Sequence, residues 1–95
     1  MPPHMDELIR MTHAHHKYPQ MLSGPIEGTL LQILALAISA KRILEIGTFT
    51  GFSAQMMASV LPEDGELITC DVDEDAGALA RDYIERGGLG AKIVQ

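Results

Sequence analysis

The chain has 95 residues, a formal net charge of −6 and one cysteine. This length holds at most one domain, and the acidic balance argues against a nucleic-acid or anionic-membrane partner, which needs a basic patch. One cysteine excludes a disulfide framework and a thiolate metal site, so we expect Cys70 to pack as a small hydrophobe. No apolar stretch is long enough to span a bilayer and no signal-peptide pattern is visible, so we expect a cytoplasmic protein.

The first 20 residues predict a short helical segment that ends at Pro19. Leu8, Met11 and His15 fall on one narrow face of this helix. All four histidines of the chain lie here, at positions 4, 13, 15 and 16. No cysteine or suitably spaced carboxylate completes a ligand set, which favours solvated surface histidines over a metal site.

A second helix is predicted from Gly24 and Pro25 onward. Its apolar residues between Leu30 and Ile38 cover most of the circumference, so we expect burial on more than one side. The simplest interpretation is that the helix only packs on the sheet; a subunit contact or a missing second layer would also account for so much apolar surface.

The stretch Arg42–Gly51 predicts a strand, a glycine turn and the start of a helix. The continuous apolar character of its first half is typical of a central parallel strand. Gly47 would let a ligand approach the backbone closely, and the free N–H groups of the next helix favour an anionic group. Gly47 and Gly51 are spaced as E-x-G-x-x-x-G, so the G-x-G-x-x-G turn that holds a dinucleotide is absent.

A second strand is predicted at Glu66–Val72, with Asp71 about 20 residues after Gly51, where a carboxylate can accept both ribose hydroxyls of a nucleoside. Ribose recognition without a diphosphate turn suggests a nucleoside such as S-adenosylmethionine. Asp73 is expected to cap the next helix. The alternatives are a glycine turn used only for packing, with Asp71 as a cap, and half of a nicotinamide-dependent oxidoreductase.

The resulting order is β-α-β-α-β preceded by two helices, an α/β fold with parallel strands and crossover helices. Four blocks carry a resemblance to a known family: Met21–Gly28, Ile43–Ala54, Leu67–Asp73 and Gly87–Ile93. They resemble the S-adenosylmethionine-dependent O-methyltransferases of the catechol and caffeoyl-coenzyme A type, with E-I-G-x-F-T-G-[FY]-S as the most restrictive motif. The resemblance implies that residues 1–20 are an N-terminal helical segment and that residues 21–95 are the first half of a Rossmann-like methyltransferase domain.

The resemblance also implies a cofactor site. Ser53 and the backbone around Ser23 would hold the methionine carboxylate, Met21 would lie near the sulfonium, and Phe49 would pack beside the cofactor. Val72 would flank the adenine. The full set of expected cofactor-binding residues is Met21, Ser23, Glu45, Gly47, Thr48, Phe49, Gly51, Ser53, Asp71 and Val72.

Glu45 ends the first strand and has two interpretations of equal weight. It could pair with the ammonium group of the ligand, or its charge could be tied to Lys41 or Arg42.

The implied reaction moves a methyl group to a hydroxyl oxygen of a small catechol-like or phenolic acceptor. A magnesium-like divalent metal serves this family, and its ligands and the catalytic residues are expected beyond residue 95. We therefore expect the chain alone to be inactive and to form a homo-oligomer. The competing hypothesis is a non-catalytic, truncated Rossmann-like fragment that binds a nucleoside or self-associates.

Overall fold

The predicted order of two helices followed by β-α-β-α-β is confirmed by the computed structural model, which describes residues 1–95. The helices are α1 (Pro3–His15), α2 (Gly24–Ala37), α3 (Phe52–Ala58) and α4 (Glu74–Arg86), and the strands are β1 (Arg42–Ile46), β2 (Glu66–Cys70) and β3 (Ile93–Val94). A short 3-10 turn, Pro19–Met21, connects α1 to α2.

The sheet is parallel throughout, in the order β1-β2-β3. β1 and β2 run in register from Arg42 opposite Glu66 to Ile46 opposite Cys70. β1 therefore lies at an edge of this sheet, although its apolar sequence is typical of a central strand. On the side away from β2, β1 has no partner strand, and Ile46 at its end is 79 % exposed.

One face of the sheet is covered by helices and the other is open. In β2, Leu67 and Thr69 are buried while Ile68 and Cys70 are exposed, as the two-residue period of a strand requires. The expectation that Cys70 packs as a buried hydrophobe is thus wrong. Cys70 lies on the open face of the sheet. An apolar run in the sequence does not show which of the two faces will be covered.

The core lies between the helices and the covered face of the sheet. Met57, Leu61, Leu67 and Ile84 belong to one buried cluster. The second cluster contains Met5, Leu8, Phe52, Met56 and Tyr83, so α1 shares its core with α3 and α4. Both methionines of α3, Met56 and Met57, are buried in these clusters.

The buried face of α1 is not the predicted one. Met5, Leu8 and Thr12 are buried, whereas Met11 is half-buried and His15 is exposed. Thr12 can be buried because its hydroxyl donates to the Leu8 carbonyl at 2.8 Å, and its oxygen lies 3.0 Å from the Thr50 hydroxyl, which can donate to it.

Helix α2 is buried on one side only. Gly28 and Ala35 form its buried positions, and a Cβ at Gly28 would lie 2.9 Å from Met56 Cγ, so α2 packs closely on α3. The exposed apolar side chains of this helix and its C-cap are Ile26, Leu30, Ile33, Leu34, Leu36 and Ile38. The expected burial on more than one side is therefore absent from this chain, and a subunit contact or a missing layer stays a prediction.

Two glycines with positive φ give a matched stability test. At Gly51, φ is +84° and a Cβ would lie 3.0 Å from Ala80 Cβ; at Gly88, φ is +75° and a Cβ would meet nothing within 4 Å. Left-handed backbone costs an L-residue about 1–2 kcal/mol, and overpacking adds about 1–3 kcal/mol. We expect Gly88→Ala to lower the free energy of unfolding by the backbone cost alone. Gly51→Ala should lower it by the backbone cost and the overpacking cost together. Urea denaturation measures this, and equal losses for the two variants would contradict the packing of Gly51 on α4.

Candidate functional site

The candidate site lies beyond the carboxyl ends of β1 and β2, where ligands of open parallel sheets bind. The loop 47–51 leaves β1 through Gly47, whose N–H donates to the Cys70 carbonyl at 2.7 Å. Gly47 has φ +100°, and nothing lies within 4 Å of where its Cβ would be. The backbone is therefore open to a ligand at this point.

Asp71 connects the end of β2 to this loop. Its Oδ2 accepts the Phe49 N–H at 2.7 Å, and its Oδ1 accepts the N–H groups of Val72 at 2.7 Å and Asp73 at 3.1 Å. These bonds, that of Phe49 first and that of Asp73 next, hold the pKa of the Asp71 carboxyl below its ordinary value. The carboxylate is thus charged at neutral pH and organises both loops.

The bonds to Asp71 limit what else it can accept. An ionised carboxylate offers about four lone-pair positions, and three N–H groups already occupy three of those of Asp71. One position, on Oδ2, remains for a ligand hydroxyl. Acceptance from both ribose hydroxyls would require one of the backbone N–H groups to release Asp71. Asp71 thus caps the loop backbone, as the alternative interpretation holds, and can still accept a bond from one ligand hydroxyl.

Phe49 occupies an unusual backbone conformation at the centre of the loop. Its φ is +50°, its side chain is buried, and its N–H is the donor to Asp71. A non-glycine residue in this region is strained and persists only where its surroundings hold it. The Asp71 carboxylate supplies part of that hold.

A polar network lies beneath the loop on the covered face of the sheet. Glu45 accepts hydrogen bonds from the Ser53 hydroxyl and, at 2.7 Å, from the Thr69 hydroxyl. Thr69 lies opposite Glu45 in the strand register, and the Thr48 and Thr69 hydroxyl oxygens are 2.6 Å apart. The structure thus contradicts a tie between Glu45 and neighbouring cations, since Lys41 pairs with Asp64 instead at 3.2 Å.

This network changes the expectation for Ser53. Its hydroxyl proton is directed at Glu45, so the hydroxyl presents only lone pairs to a second carboxylate. The predicted contact between this hydroxyl and a ligand carboxylate requires the hydroxyl to turn away from Glu45.

Two adjoining clefts collect most of the predicted residues. The smaller, of about 30 Å³, is lined by Met21, Leu22, Ser23, Gly47, Thr48, Phe49, Phe52 and Ser53. The larger, of about 290 Å³, is lined by Thr48, Thr69, Cys70, Asp71, Asp73, Glu74, Gly77 and Gln95. Thr48 lies in both. The larger cleft approaches the size of ordinary ligand pockets, while the smaller has only about a tenth of its volume.

Three predicted residues line neither cleft. Glu45 lies behind Ser53 and Thr69 and reaches the clefts through them. Gly51 is buried against Ala80, so its glycine serves packing. Val72 is 98 % exposed, at the turn that follows Asp71.

Several contributors to the site are missing from the sequence prediction. The sequence could have predicted Thr69, because residues two apart in a strand share a face and the apolar Leu67 marks the covered face. Glu45 lies opposite Thr69 in the register and points to the same face. His16 contacts both Phe49 and Asp73, and His4 bonds Gln55 at 3.0 Å, so the expectation of four solvated histidines is wrong for these two. Asp73 caps α4 as predicted, accepting the Ala76 N–H at 3.0 Å.

The structure contains no group of three or more His, Cys, Asp or Glu side chains that could hold a metal ion. None of the helices is long and apolar enough to cross a membrane.

The lowered pKa of Asp71 predicts a pH effect on stability. A carboxyl whose pKa is lower in the folded chain stabilises it above the unfolded pKa of about 3.9, and this contribution is lost as the pH falls through the folded pKa. We expect Asp71→Asn to destabilise the chain most near neutral pH and progressively less below about pH 4. Urea unfolding at several pH values measures this, with the exposed Glu63→Gln as control. A deficit that stays constant down to pH 3 would show that the charge of Asp71 does not matter.

Known proteins resemble the chain over nearly its whole length. A family model described as O-methyltransferase matches residues 1–95. The chain is 39% identical over 90 residues to a catechol O-methyltransferase from Niastella koreensis, covering 93% of this chain and 41% of that protein. It is 38% identical over 92 residues to caffeoyl-CoA O-methyltransferase 3 from Nicotiana tabacum, covering 97% of this chain and 38% of that protein.

Solved structures of O-methyltransferases also resemble the chain. An O-methyltransferase from Bacillus cereus in complex with SAH superposes with a TM-score of 0.90 at 30% identity, covering 99% of this chain and 42% of that one. An O-methyltransferase from Streptomyces achromogenes in complex with SAM gives a TM-score of 0.93 at 29% identity, covering 100% and 42%. The chain thus spans about two-fifths of the length of these relatives. Because the family model matches it from end to end, the chain belongs to the O-methyltransferase family.

Proposed function

We propose that this chain is the cofactor-binding first half of an S-adenosylmethionine-dependent O-methyltransferase, with residues 1–20 as a helical segment in front of it. The observation that carries the proposal is the joint position of the open Gly47 backbone and the ionised Asp71 beside two adjoining clefts. The SAH and SAM complexes of the similar O-methyltransferases support the choice of ligand.

The larger cleft has the groups that a nucleoside needs. Asp71 has one acceptor position free for a ribose hydroxyl, and a bond to a charged acceptor is stronger than one between neutral groups. Thr48 lies where the two clefts meet, next to the expected junction of the ribose with the sulfur. Val72 would border the adenine from the exposed side.

The smaller cleft would receive the methionine part. Glu45 lies behind Ser53 and Thr69, whose hydroxyls donate to its carboxylate, and is placed to attract an ammonium group through these hydroxyls. Since the cleft has a volume of only about 30 Å³, its walls would have to open to admit the ligand. Bound there, the sulfonium supplies the methyl group, and the residues of this chain orient it.

The acceptor would be a small molecule with a hydroxyl group, of catechol or phenolic type, in line with the names of the relatives. A divalent metal does not fit the described residues, because no suitable group of ligands exists among them. Magnesium, the acceptor and a cytoplasmic location stay predictions from the sequence. We expect no methyl transfer by these 95 residues alone.

The second candidate is a non-catalytic fragment that self-associates. The exposed apolar side of α2 and the open face of the sheet favour it, since Leu44 is 67 % and Leu30 55 % exposed. Monomeric proteins rarely leave such continuous apolar surface in water, and an unpaired β1 edge invites another chain. A homo-oligomer would bury this surface in either candidate.

Cofactor choice is tested by calorimetry on the chain and on a chimera that continues it with the C-terminal part of the Niastella koreensis relative. We expect binding of S-adenosylhomocysteine and no comparable binding of NAD, because the loop lacks the diphosphate turn. Equal or tighter NAD binding would reject the methyltransferase proposal in favour of a nicotinamide enzyme.

Self-association is tested by light scattering on the purified chain. We expect a multiple of the monomer mass, and at least about tenfold weaker association for the double variant Leu30→Ser/Leu34→Ser, because a buried Leu contributes about 1.5–3 kcal/mol. Ala78→Ser, at an exposed position of α4, is the control. A monodisperse monomer that melts cooperatively would contradict the oligomer.

A further inference from the structure

His16 follows the last residue of α1 and bonds to two distant parts of the chain. Its Nδ1 accepts the Tyr18 N–H at 3.0 Å, and its Nε2 lies 3.0 Å from Asp73 Oδ2. Its ring meets the Phe49 ring edge-on, with centroids 4.4 Å apart and an interplanar angle of 76°. The side chain is only 15% exposed.

These bonds fix the protonation of the ring. A backbone N–H can only donate, so Nδ1 carries no proton and acts as the acceptor. The proton of the neutral imidazole is therefore on Nε2, which donates it to Asp73. Both ring nitrogens are satisfied, which is the arrangement expected of a histidine held in one orientation.

Each contact of His16 leads to a wall of the candidate site. Tyr18 opens the short turn in which the Met21 N–H donates to the Tyr18 carbonyl at 3.1 Å. That turn carries Met21 and Ser23 to the smaller cleft. Phe49, strained at φ +50°, lines the same cleft.

The third contact reaches the larger cleft. Asp73 lines it and also caps α4 through the Ala76 N–H at 3.0 Å. His16 itself lines neither cleft, so it does not touch the ligand space.

We propose that His16 is a positioning residue that joins the 18–23 turn, Phe49 and Asp73 into one unit and so sets the walls of the cofactor site. This inference rests on the proposed cofactor site for its functional meaning. A strained Phe49 needs support on its side-chain face as well as at its N–H, and an edge-on aromatic contact of this kind supplies it. Without the imidazole, the turn loses an acceptor and Asp73 loses a donor.

The test uses the ¹⁵N-labelled 95-residue chain. A long-range ¹H–¹⁵N spectrum of the imidazoles reads the tautomer of His16 directly, and amide spectra report on Met21 and Phe49. Calorimetry with S-adenosylhomocysteine follows on the wild type, His16→Ala, His16→Gln and His13→Ala. His13 is the matched control, because it is exposed and bonds only the Ile9 carbonyl of its own helix.

We expect the Nε2-protonated tautomer and roughly tenfold weaker binding in His16→Ala, the equivalent of about one lost hydrogen bond. The amide signals of Met21 and Phe49 should shift together. His16→Gln, whose amide can still donate to Asp73, should recover part of the affinity, and His13→Ala should bind like the wild type.

An Nδ1-protonated ring would overturn the proposal. So would a His16→Ala chain that melts at a lower temperature but binds with wild-type affinity below its melting range, since that is a purely structural role. If the wild type binds no S-adenosylhomocysteine, the proposed function fails for this chain, while the tautomer and the amide shifts still decide whether His16 positions the two loops. If His16→Ala does not fold, the wild-type ring spectrum and His16→Gln decide.

Discussion

The hydrogen bond from the Phe49 N–H to Asp71 is the contact on which the site depends. It ties the loop after β1 to the residue after β2, at the edge of the sheet where both strands end. The donor residue is strained, and the acceptor is a charge that also takes the N–H groups of the next two residues. Strain in one loop is thus offset in part by a charged acceptor in the other.

A second charge lies below the first, and the fold satisfies it differently. Glu45 is half-buried, and an unpaired carboxylate in such a position would be costly. The parallel register supplies Thr69 directly opposite, and the first turn of α3 supplies Ser53. Hydroxyl donors leave the net negative charge in place, whereas a lysine or arginine would have neutralised it. The site therefore combines open backbone with two uncompensated carboxylates, a combination that suits a ligand with hydroxyl and cationic groups.

The sequence predicts the local features of this fold well. The strand, glycine turn and helix at Arg42–Gly51, and Asp73 as the cap of α4, follow from patterns within a few residues. The exposure of Cys70 and of the outer side of α2 could not be predicted, because an apolar pattern shows which residues favour burial and not whether a partner is present to bury them. The sequence could not show either that three backbone N–H groups leave Asp71 only one free acceptor position, because this depends on the conformation of the two loops.

The contacts of His16 also could not be predicted from local sequence patterns. It meets Asp73 57 positions away along the chain, and no local spacing announces such a contact. Thr12 is similar: its hydroxyl reaches Thr50 only because α1 packs on α3 and α4. In both cases a polar residue of the first segment ends next to the glycine loop, so the segment in front of the strand-turn-helix motif helps to build the site.

The network of Glu45 and Thr69 and the uncovered apolar surface of the sheet are on opposite faces of the same strands. Glu45 and Thr69 point to the covered side, while their neighbours Leu44 and Cys70 point to the open side, because side chains alternate along a strand. Whatever covers the open face therefore does not contact Glu45 or Thr69 and can alter their geometry only through the backbone. Covering that face adds apolar burial, the dominant favourable term in folding and association. Cover on the open face would therefore add to the stability of this chain without a direct contact to Glu45 or Thr69.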